Sequence, residues 1–166
     1  VDVTLIGGGA RSGKSSYALE LARGRGSRLA FIATAEAFDD EMRERIAAHR
    51  RDRPAAFETV EAPFELAAAL RATTSDCAVV DCLTLWASNL MLAGRDLEVE
   101  TTELIAAAAA CPARVVFVTN EVGLGIVPEN ELARRFRDEA GRMNQRIAAA
   151  AAEVFWMIFG VPVRVK

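Results

Sequence analysis

The residues best suited to chemistry lie near the start of the chain, in Gly7-Gly8-Gly9-Ala10-Arg11-Ser12-Gly13-Lys14-Ser15. From Gly8 they read G-x-x-x-x-G-K-S, the spacing of a phosphate-binding loop. Each position has a physical task. Glycines let the backbone adopt positive φ and turn successive N–H groups toward one centre. A helix beginning near Gly13 adds the partial positive charge of its N-terminus, which favours an anion. Lys14 supplies a full charge to the outer phosphates, and the Ser15 hydroxyl is a ligand for Mg²⁺. Gly8, Gly9, Ala10, Arg11, Ser12, Gly13, Lys14 and Ser15 are therefore candidate nucleotide-binding residues, with Lys14 also catalytic. The pattern implies a nucleotide but neither a reaction nor a second substrate.

Three further groups extend the site. Asp81 closes the apolar run Cys77-Ala78-Val79-Val80, where a phosphate-bound magnesium would be held, directly or through water. The alternative is that Asp81 caps the following helix. Asn120-Glu121-Val122-Gly123 follows another apolar run, so its polar groups either face the ligand crevice or form an ordinary loop. His49 is the only histidine. With Met42 and Ile46 it shares one face of an expected helix, so it is either a packed residue or a reactive one. In favour of reactivity, Arg50, Arg51 and Arg53 follow it directly and suit phosphate oxygens, and a neutral imidazole is a competent nucleophile toward phosphorus.

Positioning these groups requires strands that alternate with helices. Apolar runs predict strands at Val3–Gly7, 28–33, Phe57–Val60, Cys77–Cys82, Val115–Thr119, Val154–Ile158 and Val161–Val165. Between them the pattern predicts helices at Lys14–Arg23, Asp40–Arg51 with Asp39 as N-cap, Pro63–Arg71 with Pro63 first, Leu83–Leu92, Thr102–Ala110, and 129–152 opened by Pro128. Gly94–Thr101 reads as a polar linker. On the last helix Leu132, Phe136, Ala140, Met143, Ile147 and Ala151 form an apolar stripe. Its arginines 135, 142 and 146 read as a salt-bridged solvated face, Glu131 and Glu139 facing Arg135 and Asp138 facing Arg142, with a substrate-phosphate role as the alternative. Gly160-Val161-Pro162 makes the final strand an antiparallel edge. The order predicts an α/β fold of the P-loop NTPase, RecA-like type. It would be a three-layer sandwich with a mainly parallel sheet and an antiparallel edge strand, in a single domain over 1–166.

Composition excludes other classes. Of 166 residues, 52% are hydrophobic and 26% charged, which is globular rather than disordered. The net charge of -3 provides no basic excess for nucleic acid. Cys77, Cys82 and Cys111 lack C-x-x-C spacing and are expected to be reduced, buried thiols rather than a disulfide framework or zinc site. No signal-peptide pattern and no bilayer-spanning apolar run is present, so a cytoplasmic protein is expected.

Taken together, several segments carry a resemblance. They are Gly8–Ser15, Ile32-Ala33-Thr34-Ala35, Asp39-Asp40-Glu41-Met42 with Arg45-Ile46 and His49-Arg50, Arg53-Pro54, Thr119-Asn120-Glu121-Val122-Gly123 with Gly125-Ile126-Val127-Pro128, and Phe136-Arg137-Asp138 with Gly141-Arg142 and Asn144-Gln145. Over nearly its whole length the chain resembles the bifunctional adenosylcobinamide kinase/adenosylcobinamide-phosphate guanylyltransferases of cobalamin biosynthesis, the CobU/CobP family. The resemblance implies that ATP or GTP phosphorylates adenosylcobinamide. GTP then guanylylates a histidine, His49 here, and GMP passes to adenosylcobinamide phosphate to give adenosylcobinamide-GDP. It further implies nucleotide contacts at Ala33, Thr34, Ala35, Arg50, Arg51, Asp52, Arg53, Glu61 and Asp81, and a homotrimer with part of the site at the subunit boundary. Some relatives carry two adjacent histidines where this chain has Ala48-His49. Glu121 and Asp81 are the acids to test as base for the cobinamide hydroxyl. The competing readings are a simple small-molecule kinase with a structural His49, and a nucleotide-hydrolysing switch module. Against the switch, Asn120-Glu121-Val122-Gly123 is not the N-K-x-D guanine-reading segment.

Overall fold

The computed structural model describes residues 2–36, 44 and 55–166. The expected helix at 40–51, with Asp39, His49, Arg50, Arg51, Asp52 and Arg53, lies outside them. Seven strands form one sheet: β1 (Val3–Gly8), β2 (Leu29–Ala33), β3 (Phe57–Glu61), β4 (Cys77–Asp81), β5 (Arg114–Val118), β6 (Glu153–Ile158) and β7 (Val161–Arg164). The described helices are α1 (Lys14–Arg23), α2 (Leu66–Ala72), α3 (Leu83–Leu92), α4 (Leu97–Ala110) and α5 (Glu131–Ala150). The strand order is β3-β2-β4-β5-β1-β6-β7. All pairs are parallel except β6–β7, so the expected antiparallel edge is present.

The central strands are apolar on both faces because both faces are covered. Along β4, Ala78 and Val80 pack with Leu66, Leu83, Trp86 and Leu104, whereas Cys77 and Val79 pack with Ala18, Ala22 and Phe31. The period-2 alternation of one strand thus feeds two cores. α1 lies against the second core, while α2 to α5 lie over the first. Each fully buried Leu or Ile contributes roughly 1.5–3 kcal/mol of transfer free energy, so these layers hold the sheet and leave the C-terminal strand ends free to carry polar groups.

Three boundaries differ from the sequence reading. α4 begins inside the expected linker because Asp96 caps it, its carboxylate accepting from the Glu98 and Val99 N–H groups at 2.8 and 3.2 Å. Glu98 and Glu100 in the first turn favour the same start. α2 begins at Leu66 and not Pro63; the Pro63 carbonyl instead accepts from Asn89. α5 is capped by Asn130, which accepts from the Ala133 N–H at 3.2 Å, so Pro128 precedes the helix. On α5, Glu139 pairs with Arg142 at 3.3 Å, and Arg146 reaches across to the Glu98 carbonyl and the Thr102 hydroxyl on α4. Of the stripe, Ala140, Met143, Ile147 and Ala151 are buried, but Leu132 is exposed. Cys77 and Cys82 are buried free thiols, and Cys111 is half-buried. Among the described residues no helix is long and apolar enough to cross a membrane.

The N-terminal strand ends are clamped by Asp76. Its carboxylate accepts from the backbone N–H groups of Ser27 and Arg28 at 3.0 and 2.9 Å and from the Arg28 guanidinium at 2.8 Å. These Arg28 and Ser27 bonds hold the carboxyl well below its ordinary range. A depressed folded-state pKa adds stability above the unfolded value and loses it as pH falls through that window. Asp76→Asn is therefore expected to lower the unfolding midpoint at pH 7. The gap from wild type should close as pH falls below about 4, as thermal scans across that range would check.

Candidate active site

Three residues with positive φ shape the phosphate loop between β1 and α1. Gly8 has φ 149°, Arg11 φ 54° and Gly13 φ 92°. A side chain at Gly8 would also meet the Ser12 Oγ at 2.8 Å and the Met157 carbonyl at 3.1 Å, so glycine is required there on two grounds. Gly13 sits at the N-cap of α1 with no side-chain cap, which leaves the first N–H groups of that helix directed toward the loop.

Lys14 is only 6% exposed. Its ammonium donates to the Gly9 carbonyl at 2.5 Å and to the Ser12 Oγ at 3.4 Å. Burial pushes its pKa down, while Cys82 and Asp81 oppose that shift. Both hydrogen-bond acceptors are neutral, so a phosphate oxygen would compete for this ammonium with a full opposite charge. Ser15 is half-buried in the first turn of α1, and Asp81 is half-buried at the end of β4, near enough to act on Lys14. The N-cap alternative for Asp81 does not hold, because Cys82 occupies that position and gives α3 no side-chain cap. Among the described residues no three His, Cys, Asp or Glu side chains cluster as metal ligands. A hydroxyl and a carboxylate beside a phosphate cradle instead match Mg²⁺, which keeps waters and substrate oxygens in its shell. Cys82 is no nucleophile at neutral pH, since burial, then Asp81, push its thiol up to about 11.

A polar network behind the loop escaped the sequence reading. Thr34 is fully buried; its hydroxyl donates to the Cys82 carbonyl at 2.8 Å and accepts the Cys82 N–H at 2.7 Å. The Asn89 amide donates to the Thr34 and Pro63 carbonyls at 2.9 and 3.0 Å. The Asn120 N–H donates to the Thr84 hydroxyl at 2.7 Å, and the Thr119 hydroxyl donates to the Asn144 side-chain oxygen at 2.8 Å. The Glu121 N–H donates to the Gly8 carbonyl at 3.1 Å, which fixes the 120–123 loop beside the phosphate loop. The Glu121 carboxylate accepts the Gly123 N–H at 2.5 Å and so faces its own turn. The one legible signal was Asn89, a lone amide within the apolar helix LTLWASNLML. Asn89→Leu removes both of its buried donors and is expected to destabilise by roughly 2–3 kcal/mol, measured by denaturant unfolding.

The structure brings together Gly8–Ser15 and Asp81, with Asn120 and Glu121 alongside. Ala33 ends β2, paired with Asp81 of β4, and Thr34 and Ala35 follow it. Glu61 ends β3 at the sheet edge, four strand positions from β1, about 19 Å by strand spacing. Two hollows lie away from the loop. One, of about 340 Å³, is lined by Glu98, Glu139, Arg142 and Arg146; the other, of about 360 Å³, by Met91, Leu92, Leu132 and Phe136. Neither touches the phosphate loop, so Arg142 and Arg146 sit apart from the cradle.

Comparison with known proteins shows the family and the fold. The sequence model of a family described as cobinamide kinase / cobinamide phosphate guanyltransferase matches residues 4–165. The bifunctional adenosylcobalamin biosynthesis protein CobP of Pseudomonas aeruginosa is 47% identical over 166 residues, covering 98% of this chain and 96% of that protein. CobU of Salmonella typhimurium, described in the same words, is 44% identical over 179 residues, covering 98% of each. Among solved structures, a helicase ATPase domain matches with a TM-score of 0.53 and 12% identity, covering 93% of this chain and 68% of that one. At that identity the match shows a fold, a RecA-like α/β sandwich, and no activity. Identity of 44–47% over nearly the whole length carries more than fold, and on it the chain belongs to the cobinamide kinase / cobinamide phosphate guanyltransferase family.

Proposed function

We propose that this protein catalyses two successive transfers in cobalamin biosynthesis. It phosphorylates adenosylcobinamide with ATP or GTP, then passes GMP from GTP through a histidine to adenosylcobinamide phosphate, yielding adenosylcobinamide-GDP. The observation that carries the reading is a phosphate loop with a buried lysine in a chain that matches the family from residue 4 to 165.

In the first transfer the cobinamide hydroxyl oxygen attacks the γ-phosphorus, the bond to the β-phosphate oxygen breaks, and a nucleoside diphosphate leaves. The loop N–H groups and Lys14 stabilise charge on the transferred group. Ser15 and Asp81 would hold Mg²⁺, which neutralises charge on the bridging phosphate oxygens. Asp81 and Glu121 are the two acids to test as acceptor for the hydroxyl proton; the Glu121 carboxylate accepts the Gly123 N–H and would have to leave it to reach the hydroxyl. In the second transfer the neutral His49 imidazole attacks the α-phosphorus of GTP, forming a P–N bond as pyrophosphate leaves. A phosphate oxygen of adenosylcobinamide phosphate then displaces the imidazole. Contacts at Ala33, Ala35, Glu61 and Asp81, and at Arg50, Arg51, Asp52 and Arg53, would orient GTP, while Thr34, fully buried and bonded to Cys82, would act only by holding its neighbours in place. Assembly as a homotrimer is part of this reading; the exposed apolar run Leu124, Ile126 and Val127 supports association between copies.

The test uses GTP labelled in the α-phosphate, with Mg²⁺ and the whole protein. Acid-labile label should appear on the protein and leave on addition of adenosylcobinamide phosphate. A protein that phosphorylates cobinamide but never takes the label would be a kinase alone.

A further inference from the structure

The hairpin joining β6 to β7 breaks a local rule. Ile158 pairs with Val161, so Phe159 and Gly160 are the two central residues of the turn, with φ 51° and 82°. Two positive φ values define a primed turn, which matches the twist of the strands and ordinarily takes Asn, Asp or Gly at its first position. A bulky side chain with positive φ is an outlier that costs stability. Burial does not compensate, because Phe159 is 99% exposed. A choice that is poor for folding and gains no packing is expected where a function requires it.

The turn's position says which function. The Gly160 N–H donates to the Ser12 carbonyl at 3.1 Å, and a side chain at Gly13 would meet the Gly160 Cα at 3.3 Å. Below the turn, Met157 pairs with Gly8. The hairpin tip is thus fixed against the phosphate loop. The strand order sets a direction: β5 and β4, with Asp81, lie on one side of β1, and β6 and β7 on the other. The kinase-step nucleoside triphosphate, with its terminal phosphate toward Lys14 and Asp81, would direct its nucleoside to the opposite side, over the hairpin.

We propose that Phe159 is the aromatic platform on which the base of the kinase-step nucleotide stacks. The proposal rests on the phosphate loop binding that donor. The hairpin flanks Phe159 with Ile158, Val161, Pro162 and Val163, apolar side chains that add contact area and no hydrogen bonds to base edges. Stacking needs only the π-face that every base presents.

The experiment titrates the protein, with Mg²⁺, against 2-aminopurine riboside triphosphate, whose fluorescence is quenched by stacking, and against tripolyphosphate, which has no base. Phe159→Asn is expected to weaken the nucleotide about tenfold or more and to lose the quenching, while tripolyphosphate binds as to wild type. Its unfolding midpoint should equal or exceed that of wild type, because asparagine suits the turn. Phe159→Trp should restore both affinity and quenching. If wild type and Phe159→Asn bind the nucleotide within twofold of each other with equal quenching, the platform is overturned while the kinase reading stands. A change confined to sedimentation would assign Phe159 to contact between copies and would equally overturn it. If wild type binds neither probe, the phosphate-loop reading falls with it.

Discussion

Lys14→Met abolishes both transfers, each kcat falling by at least about 10²–10³-fold, while the protein remains folded. The magnitude is that of removing one preorganised charge from a site where transferred phosphoryl charge develops. Methionine keeps most of the lysine stem and its packing, so the variant isolates the ammonium. What the folded protein loses is two hydrogen bonds to neutral acceptors, Gly9 and Ser12. What it gains is relief from burying a charge that desolvation disfavours. The unfolding midpoint is therefore expected not to fall, and a collapse in stability would show that Lys14 is structural. Initial rates with γ-labelled ATP and with α-labelled GTP measure the two steps separately. One loop serving both donors requires that both rates fall together. Guanylylation that survives in the variant would place the GTP phosphates elsewhere.

How legible the site was depended on the range over which each residue acts. Gly8, Gly13 and Lys14 were readable because the loop is local: its backbone turns and the helix behind it are set within nine residues. Strand identities were readable for a similar reason, since a sheet covered on both faces leaves unbroken apolar runs such as Cys77–Val80. The start of α4 was not, because Asp96 and the acidic turn after it resemble a solvated linker. They act as a cap only once Leu97 and Thr101 find burial. Thr34, Thr84, Thr119 and Asn144 were opaque for a stronger reason. Their partners are 24 to 48 residues away, and nothing in a threonine's neighbours announces a bond across the sheet. Phe159 shows the converse. The turn could be read from Gly160, but only the backbone conformation reveals that phenylalanine is a costly choice there. The residues proposed to carry the second transfer, His49 and the arginines after it, are argued from the sequence and the family, and a chemical test decides their role.

That test is His49→Ala, expected to take no label from α-labelled GTP while phosphorylating adenosylcobinamide at close to the wild-type rate. The chain has one histidine, so no second imidazole can substitute. Among the described residues, the buried thiols Cys77 and Cys82 are pushed up to about 11 and do not supply a nucleophile at neutral pH. Alanine is a strong helix former, so the substitution should preserve whatever helix the segment forms. The label's chemistry offers an internal check: a P–N bond is cleaved by acid and survives alkali, whereas a phosphate ester on serine or threonine behaves oppositely. Acid-stable label that persists in His49→Ala would locate the covalent step on a hydroxyl. Loss of both activities would mean that His49 acts on the shared phosphates rather than as the carrier of GMP. Only loss of label with retained kinase activity separates the two reactions on one loop, because in the proposed route the γ-phosphorus is transferred directly and the α-phosphorus passes first to the imidazole.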